Sequence, residues 1–202
     1  MYEISKEFEF DYGHRVWTQD LNKDFSLTST NACRHLHGHR GKIVVSLKGS
    51  NLGEDGMLTD FNNLNIFKKW VNDYLDHKFL FHLQDPLFKA ELEMLKNLLG
   101  IFDSSVYDYL ESKGEGYYVI KQTILEMIKS KAEEDSFYLC LLDKWKGLTI
   151  LDFVPTSENL SKWVFDIVTE MLKPLLKDSG VKVSKIDFYE TPKSKSTFER
   201  NL

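Results

Sequence analysis

Cysteine is scarce: the 202-residue chain has only Cys33 and Cys140. Two cysteines are too few for a disulfide framework, and a chain of this length can bury a core without one, so a reducing, cytoplasmic setting is expected. Long hydrophobic runs are missing as well. No stretch approaches the ~18 apolar residues of a membrane span, and the opening MYEISKEFEF has no apolar signal core. A soluble protein without a membrane partner is expected. Excess positive charge is also lacking. Lys and Arg total 26 against 31 Asp and Glu, a net charge of -5, which argues against nucleic acid as a partner. A small anionic ligand is not excluded, because a local cluster decides that. Arg34, Arg40 and Lys42 crowd around a set of histidines and either serve such a ligand or are solvated surface charge. With 42% hydrophobic and 28% charged residues, the composition is that of a globular protein of one domain, or of one domain with a large insertion.

The pattern along the chain is mixed α and β. In residues 2–12, Tyr2, Ile4, Phe8, Phe10 and Tyr12 share one parity and acidic or polar residues the other, which predicts a half-buried strand. Residues 15–33 read as a loop, and 37–48 as a second strand with Ile43, Val45 and Leu47 on one face. Turn chemistry at 51–56 leads to a helix at roughly 62–75, and a further strand is possible after Gly56. Helical patterns at 87–99 and 119–132 are separated by Gly114 and Gly116. Residues 148–154 read as a short strand. From Ser157 to about Lys173, Leu160, Trp163, Val164, Ile167, Val168, Met171 and Leu172 form one apolar stripe, with Thr156 as N-cap and Pro174 expected to end or kink the helix. A last strand covers 181–190, and the tail from Pro192 reads as loosely ordered.

Four of the six histidines fall in two short stretches, 10–14 and 33–39. Residues i and i+2 of a strand share a face. His37 and His39 therefore point together, and His14 shares the face of Phe8, Phe10 and Tyr12. Three imidazoles on the apolar side of a sheet are either satisfied core residues or ligands of one metal, and imidazole suits zinc. Gly38 between two of them permits close backbone approach. His35 has the opposite parity. Cys33 is a fourth ligand, a base or an inert buried thiol. Asp76 beside His77 is a general acid–base arrangement or an ordinary helix end. Glu190 has the parity of Ile186 and Phe188, so it is either an inward carboxylate that needs N–H donors or an exposed strand end.

Taken in order, Phe10-x-x-x-His14, Cys33-x-x-x-His37-Gly-His39, Gly56-Met-Leu-Thr-Asp60-Phe61, Leu75-Asp76-His77, Pro155-Thr156-Ser157-Glu158-Asn159 and Glu190-Thr191 resemble the 6-pyruvoyl-tetrahydropterin and 6-carboxytetrahydropterin synthase family. The likeness covers residues 1–81 and 151–191. It implies an α+β tunnelling fold, with a small antiparallel sheet backed by two helices, assembled as a homo-oligomer of hexamer type with active sites at subunit interfaces. It also implies that His14, His37 and His39 hold Zn2+, that Cys33 is the base with Asp76 and His77 as acid–base partners, and that Glu190 and Thr156 hold the pterin ring. The implied substrate is 7,8-dihydroneopterin triphosphate, with zinc as Lewis acid and triphosphate as leaving group.

The three residues between Cys33 and His37 resemble the carboxy branch, a lyase releasing acetaldehyde on the way to 7-deazaguanines of the queuosine type. The alternatives are a pyruvoyl-forming sister enzyme and a non-catalytic tunnelling-fold protein that binds a pterin or purine. Two features depart from the family pattern. Leu80-Phe81 stands where Leu-Asn is usual, and residues 83–147 form an insertion within the single domain 1–202. A connection this long is expected to be ordered and partly helical rather than a bare loop.

Overall fold

Alternation of apolar and polar residues makes β1 (Tyr2–His14) and β2 (His37–Gly49) long strands with one buried face each. The computed structural model describes residues 1–19, 32–102, 104–177 and 179–200. After β1 and β2 come α1 (Asn65–Tyr74), β3 (Lys78–His82), α2 (Pro86–Leu99), β4 (Leu110–Gly114) and β5 (Tyr117–Ile120). Then follow α3 (Gln122–Lys131), α4 (Phe137–Lys146), β6 (Leu148–Leu151), α5 (Ser157–Leu176), β7 (Lys182–Thr191) and β8 (Ser194–Glu199). The loop expected at 15–33 falls mostly on 20–31, outside the described residues. No helix among the described residues is long and apolar enough to cross a membrane.

The chain divides into two compact units. The first comprises Met1–Tyr12, Gly38–His77 and Thr156–Leu202. Its strands neighbour one another in the order β1-β2-β7-β8. β7 is antiparallel to both β2 and β8, with Ile43 opposite Phe188 and Val45 opposite Ile186. These side chains are fully buried with Phe8, Phe67, Leu160, Val164 and Val168. Helices α1 and α5 supply the other half of this core: Phe8 meets Phe67 edge-on at 5.0 Å, and Trp70 meets Trp163 at 5.0 Å. Thr156 caps α5 by accepting the Asn159 N–H at 3.3 Å.

The second unit comprises Gly13–His37 and Lys78–Pro155, with strand order β4-β5-β6-β3. β3 and β6 are parallel, while β5 is antiparallel to both β4 and β6. Its core gathers Phe81, Phe88, Leu92, Leu95, Ile124, Ile128, Trp145 and Ile150. Asp85 caps α2 and Gly100 closes it at φ 69°, a left-handed position that favours glycine.

Four expectations need correction. No strand lies between Gly56 and α1: Asp60 instead caps a 3-10 turn at Phe61–Leu64, accepting the Asn62 N–H at 2.7 Å. The tail from Pro192 is not loose through residue 199. β8 pairs with β7 and packs Phe198 on Phe165 at 5.2 Å. Pro174 does not end α5, which runs on to Leu176. Lying in the last turn it removes one helical hydrogen bond, and the buried Leu172 and Leu176 hold that turn down. The helical pattern at 119–132 begins too early, because Ile120 belongs to β5 and Met127 is exposed.

Candidate metal centre and active site

β1 ends in His14 and β2 begins with His37, and the strand period puts His39 on the side of His37. Gly38 lies between them with the Tyr12 carbonyl close by. A Cβ at Gly38 would meet that oxygen at 3.1 Å, so the backbone approach there favours the smallest residue. The result is a cluster of three imidazoles, His14, His37 and His39, whose ligand atoms all lie within 4.8 Å of one another. His14 is buried and the other two are half-buried.

The donor set fits a metal ion. His14 Nδ1 lies 2.7 Å from the Pro155 carbonyl, and His37 Nδ1 lies 2.7 Å from the His35 carbonyl. A carbonyl only accepts, so each Nδ1 carries the proton and each Nε2 keeps its lone pair. Metal-binding histidines are usually oriented in this way, with the far nitrogen donating to a carbonyl or carboxylate. Three imidazole ligands would leave a bound zinc ion able to take a substrate oxygen or water as well. His35 is outside the cluster, yet its carbonyl sets the tautomer of His37.

Cys33 sits in a 3-10 turn, Ala32–Arg34, and is exposed. It is not one of the clustered ligand residues. Its carbonyl accepts the Val16 N–H at 2.7 Å. Asp76 and His77 follow α1. Asp76 Oδ1 stands 4.0 Å from His77 Nε2, and the His77 side chain is 81% exposed. His77 is the one non-glycine among the described residues with positive φ, at 55°. That conformation turns its side chain away from the helical path, and its N–H is held by the Asp11 carbonyl at 2.7 Å.

Glu190 is half-buried near the end of β7. Tyr12 had no role assigned from the sequence. Its ring lies 5.7 Å from His39 and 5.9 Å from Phe188, and burial, followed by the Glu190 carboxylate, pushes its pKa far up. It therefore stays a neutral O–H donor between a candidate metal ligand and the candidate ring anchor. Its place on the inner parity of β1, two residues before His14, was the signal available in the sequence. Thr156 caps α5. Of the candidate anion cluster, Arg40 pairs with Glu9 at 3.3 Å, and Lys42 pairs with Glu7 at 3.2 Å and covers the Tyr189 ring at 4.6 Å.

Comparison with known proteins gives a consistent picture. The 6-carboxy-5,6,7,8-tetrahydropterin synthase of Aquifex aeolicus (strain VF5) is 26% identical over 203 residues, covering 98% of both chains. The protein of that name from Rickettsia bellii (strain RML369-C) is 30% identical over 94 residues, covering 46% of this chain and 61% of the relative. An uncharacterised protein of Wolinella succinogenes superposes with a TM-score of 0.80 at 38% identity, over 99% of this chain and 98% of the other. The 6-pyruvoyl tetrahydropterin synthase of Plasmodium vivax superposes with a TM-score of 0.56 at 17% identity, over 100% of this chain and 98% of that one, a likeness of fold. The α+β architecture, with its mixed pairing of strands, is thus the tunnelling fold. Residues 3–201 match the family model described as 6-pyruvoyl tetrahydropterin synthase, and the chain belongs to that family.

Proposed function

We propose that this chain is a zinc-dependent 6-carboxytetrahydropterin synthase. It converts 7,8-dihydroneopterin triphosphate and water to 6-carboxytetrahydropterin, acetaldehyde and triphosphate, within 7-deazaguanine synthesis of the queuosine type. The observation that carries the reading is the cluster of His14, His37 and His39, with two Nδ1 atoms anchored on carbonyls. The carboxy product is favoured by the relative of that name that spans 98% of this chain.

When bound, zinc supplies Lewis acidity toward the side-chain oxygens of the substrate. His14, His37 and His39 would hold it, His14 and His37 through the Nε2 atoms left free by their Nδ1–carbonyl bonds. Cys33, exposed on its turn, is the base that removes a proton from the substrate side chain. His77 returns a proton, with the Asp76 carboxylate 4.0 Å from its Nε2. Glu190 and Thr156 orient the pterin ring, Glu190 by accepting from the amino group and the ring N–H together. The unit of action is a homo-oligomer of hexamer type in the cytoplasm. Each subunit is one domain, residues 1–202, with 83–147 as its insertion.

The test is to mix pure, zinc-loaded protein with 7,8-dihydroneopterin triphosphate and identify products by mass spectrometry. Acetaldehyde and a carboxylated tetrahydropterin in equal amounts are the expected result. A 6-pyruvoyl product would assign the sister reaction, and binding without turnover would leave a pterin-binding protein.

A further inference from the structure

His14 is the last residue of β1, and a strand end frays unless its surroundings hold it. The holding groups lie in the second unit, to which His14 itself belongs. The Pro155 carbonyl, just after β6, takes the His14 Nδ1–H at 2.7 Å. Arg15 Nε faces Asp85 Oδ2 at 3.1 Å, with the Asp85 side chain 0% and the Arg15 side chain 17% exposed. Trp17 Nε1–H donates to His82 Nδ1 at 2.9 Å, and the two rings stack. His82 and Asp85 belong to one turn, closed by the Asp85 N–H on the His82 carbonyl at 2.9 Å.

Asp85 also faces the other way. Its Oδ1 accepts the Leu87 N–H at 2.8 Å and caps α2. That helix buries Phe88, Leu92 and Leu95 against Trp145 and Ile150. One carboxylate thus joins the residue after His14 to the first turn of a packed helix. A buried ion pair adds little net stability over an apolar pair of the same shape. What it adds is position: opposite charges held 3.1 Å apart in a mostly buried place resist separation, although the Arg15 Nε–H does not point at Asp85 Oδ2 and the contact is an ion pair without a hydrogen bond.

We propose that Arg15 and Asp85 are positioning residues for His14. This rests on the reading of His14 as a metal ligand. Neither side chain touches the ion. They act by fixing where β1 delivers the imidazole, while the Pro155 carbonyl fixes how the ring is turned.

The experiment is zinc affinity, measured on chelator-stripped full-length protein by competition with a chromophoric chelator, alongside melting temperature. The variants are Asp85→Asn, Arg15→Met, their double, and Glu91→Gln as a control. Asparagine is a good N-cap, so Asp85→Asn keeps the start of α2 and removes only the charge. Glu91 pairs with Lys144 and joins α2 to α4 in the same unit. Each of the two single variants should weaken zinc binding roughly tenfold or more, as for other groups that orient metal ligands. The double variant should be no weaker than the worse single one, because the two act as a pair. Glu91→Gln should keep wild-type affinity whatever it does to melting. Wild-type affinity in a folded Asp85→Asn protein would overturn the proposal. So would an equal affinity loss in Glu91→Gln, which would mark a general effect of destabilisation. If Asp85→Asn does not fold, Arg15→Met carries the test by removing the charge from the other side, and unchanged zinc affinity there overturns the proposal equally. Failure of the wild-type protein to bind zinc is a separate result: it removes the metal reading itself, and the proposal with it.

Discussion

Asp76 and Asp11 are locked together: Asp76 Oδ1 accepts the Asp11 backbone N–H at 3.0 Å, and His77, the next residue, donates its N–H to the Asp11 carbonyl at 2.7 Å. The turn that carries the proposed acid–base pair is thereby fastened to β1, three residues before His14. Asp76 then has two separable roles, as a backbone anchor and as a charge beside His77. Asp76→Asn keeps an oxygen for the Asp11 N–H and removes the charge. It should melt close to wild type and lose roughly 10²–10⁴-fold in turnover. Asp76→Ala removes the anchor too and should cost about 1 kcal/mol of stability besides. Denaturant titration and steady-state rates on both variants separate the roles, and full activity in Asp76→Asn would leave Asp76 as an anchor alone.

His37→Ala and His39→Ala should each abolish stoichiometric zinc, read by elemental analysis. The fold should survive, because the core of the first unit is built from Ile43, Val45, Phe67, Val164 and Phe188, not from the metal. Chelation should therefore stop turnover while leaving a cooperative melt, and added zinc should restore activity. At free zinc about 100 times Kd the stabilisation is about 2.7 kcal/mol, which a thermal shift resolves. Full zinc retention in both variants would remove the site.

Sequence periodicity carried β1, β2, α1 and α5 because each has one wet and one dry face. The stripe on α5 omitted Phe165, which is buried because Phe198 of β8 covers it. Nothing in the polar run Ser194–Glu199 announces that cover, since an edge strand can be rich in Lys and Ser and still pair. α4 was illegible for a different reason. Phe137, Tyr138, Leu139, Leu141 and Leu142 crowd its first turns, so no single face stands out. The three histidines could be grouped by parity, whereas their orientation could not. It depends on the Pro155 and His35 carbonyls, and every residue has a carbonyl. The Arg15–Asp85 pair is 70 positions apart in the chain and has no local signal.

His82 gives a pH prediction. Burial lowers its pKa below the ordinary 6.5, and Lys89 acts in the same direction, against the opposing pull of an Asp152 backbone hydrogen bond and the Asp85 and Asp152 charges. Neutral His82 accepts the Trp17 indole N–H at Nδ1, and a protonated ring cannot. The unfolded chain therefore takes up this proton at higher pH than the folded chain. The contribution is present above 6.5 and is lost as pH falls through 6.5 toward the lower folded value. Metal-free wild type should lose stability between pH ~7.5 and ~5.5, and His82→Gln, which keeps an acceptor without titrating, should lose less. Equal losses measured by denaturant titration would contradict the assignment.

Glu190 and Tyr12 decide how the ring is gripped. An amino-pyrimidine edge presents an amino group and a ring N–H side by side, and one carboxylate accepts from both. Glu190 is half-buried on β7, and its charge acts on Tyr12, whose ring packs 5.7 Å from His39. Glu190→Gln puts a donor where an acceptor stood. An unmatched buried donor costs ~1–3 kcal/mol, which is roughly tenfold or more in affinity. Tyr12→Phe keeps the aromatic contact with His39 and removes only the hydroxyl. Both variants should retain zinc. Calorimetric titration with unreactive neopterin should show weaker binding in Glu190→Gln. In Tyr12→Phe the loss should be smaller, because burial and the Glu190 charge keep that hydroxyl a neutral donor. Zinc loss in Glu190→Gln would place Glu190 in the support of the metal, and unchanged neopterin affinity would take it out of the pterin site.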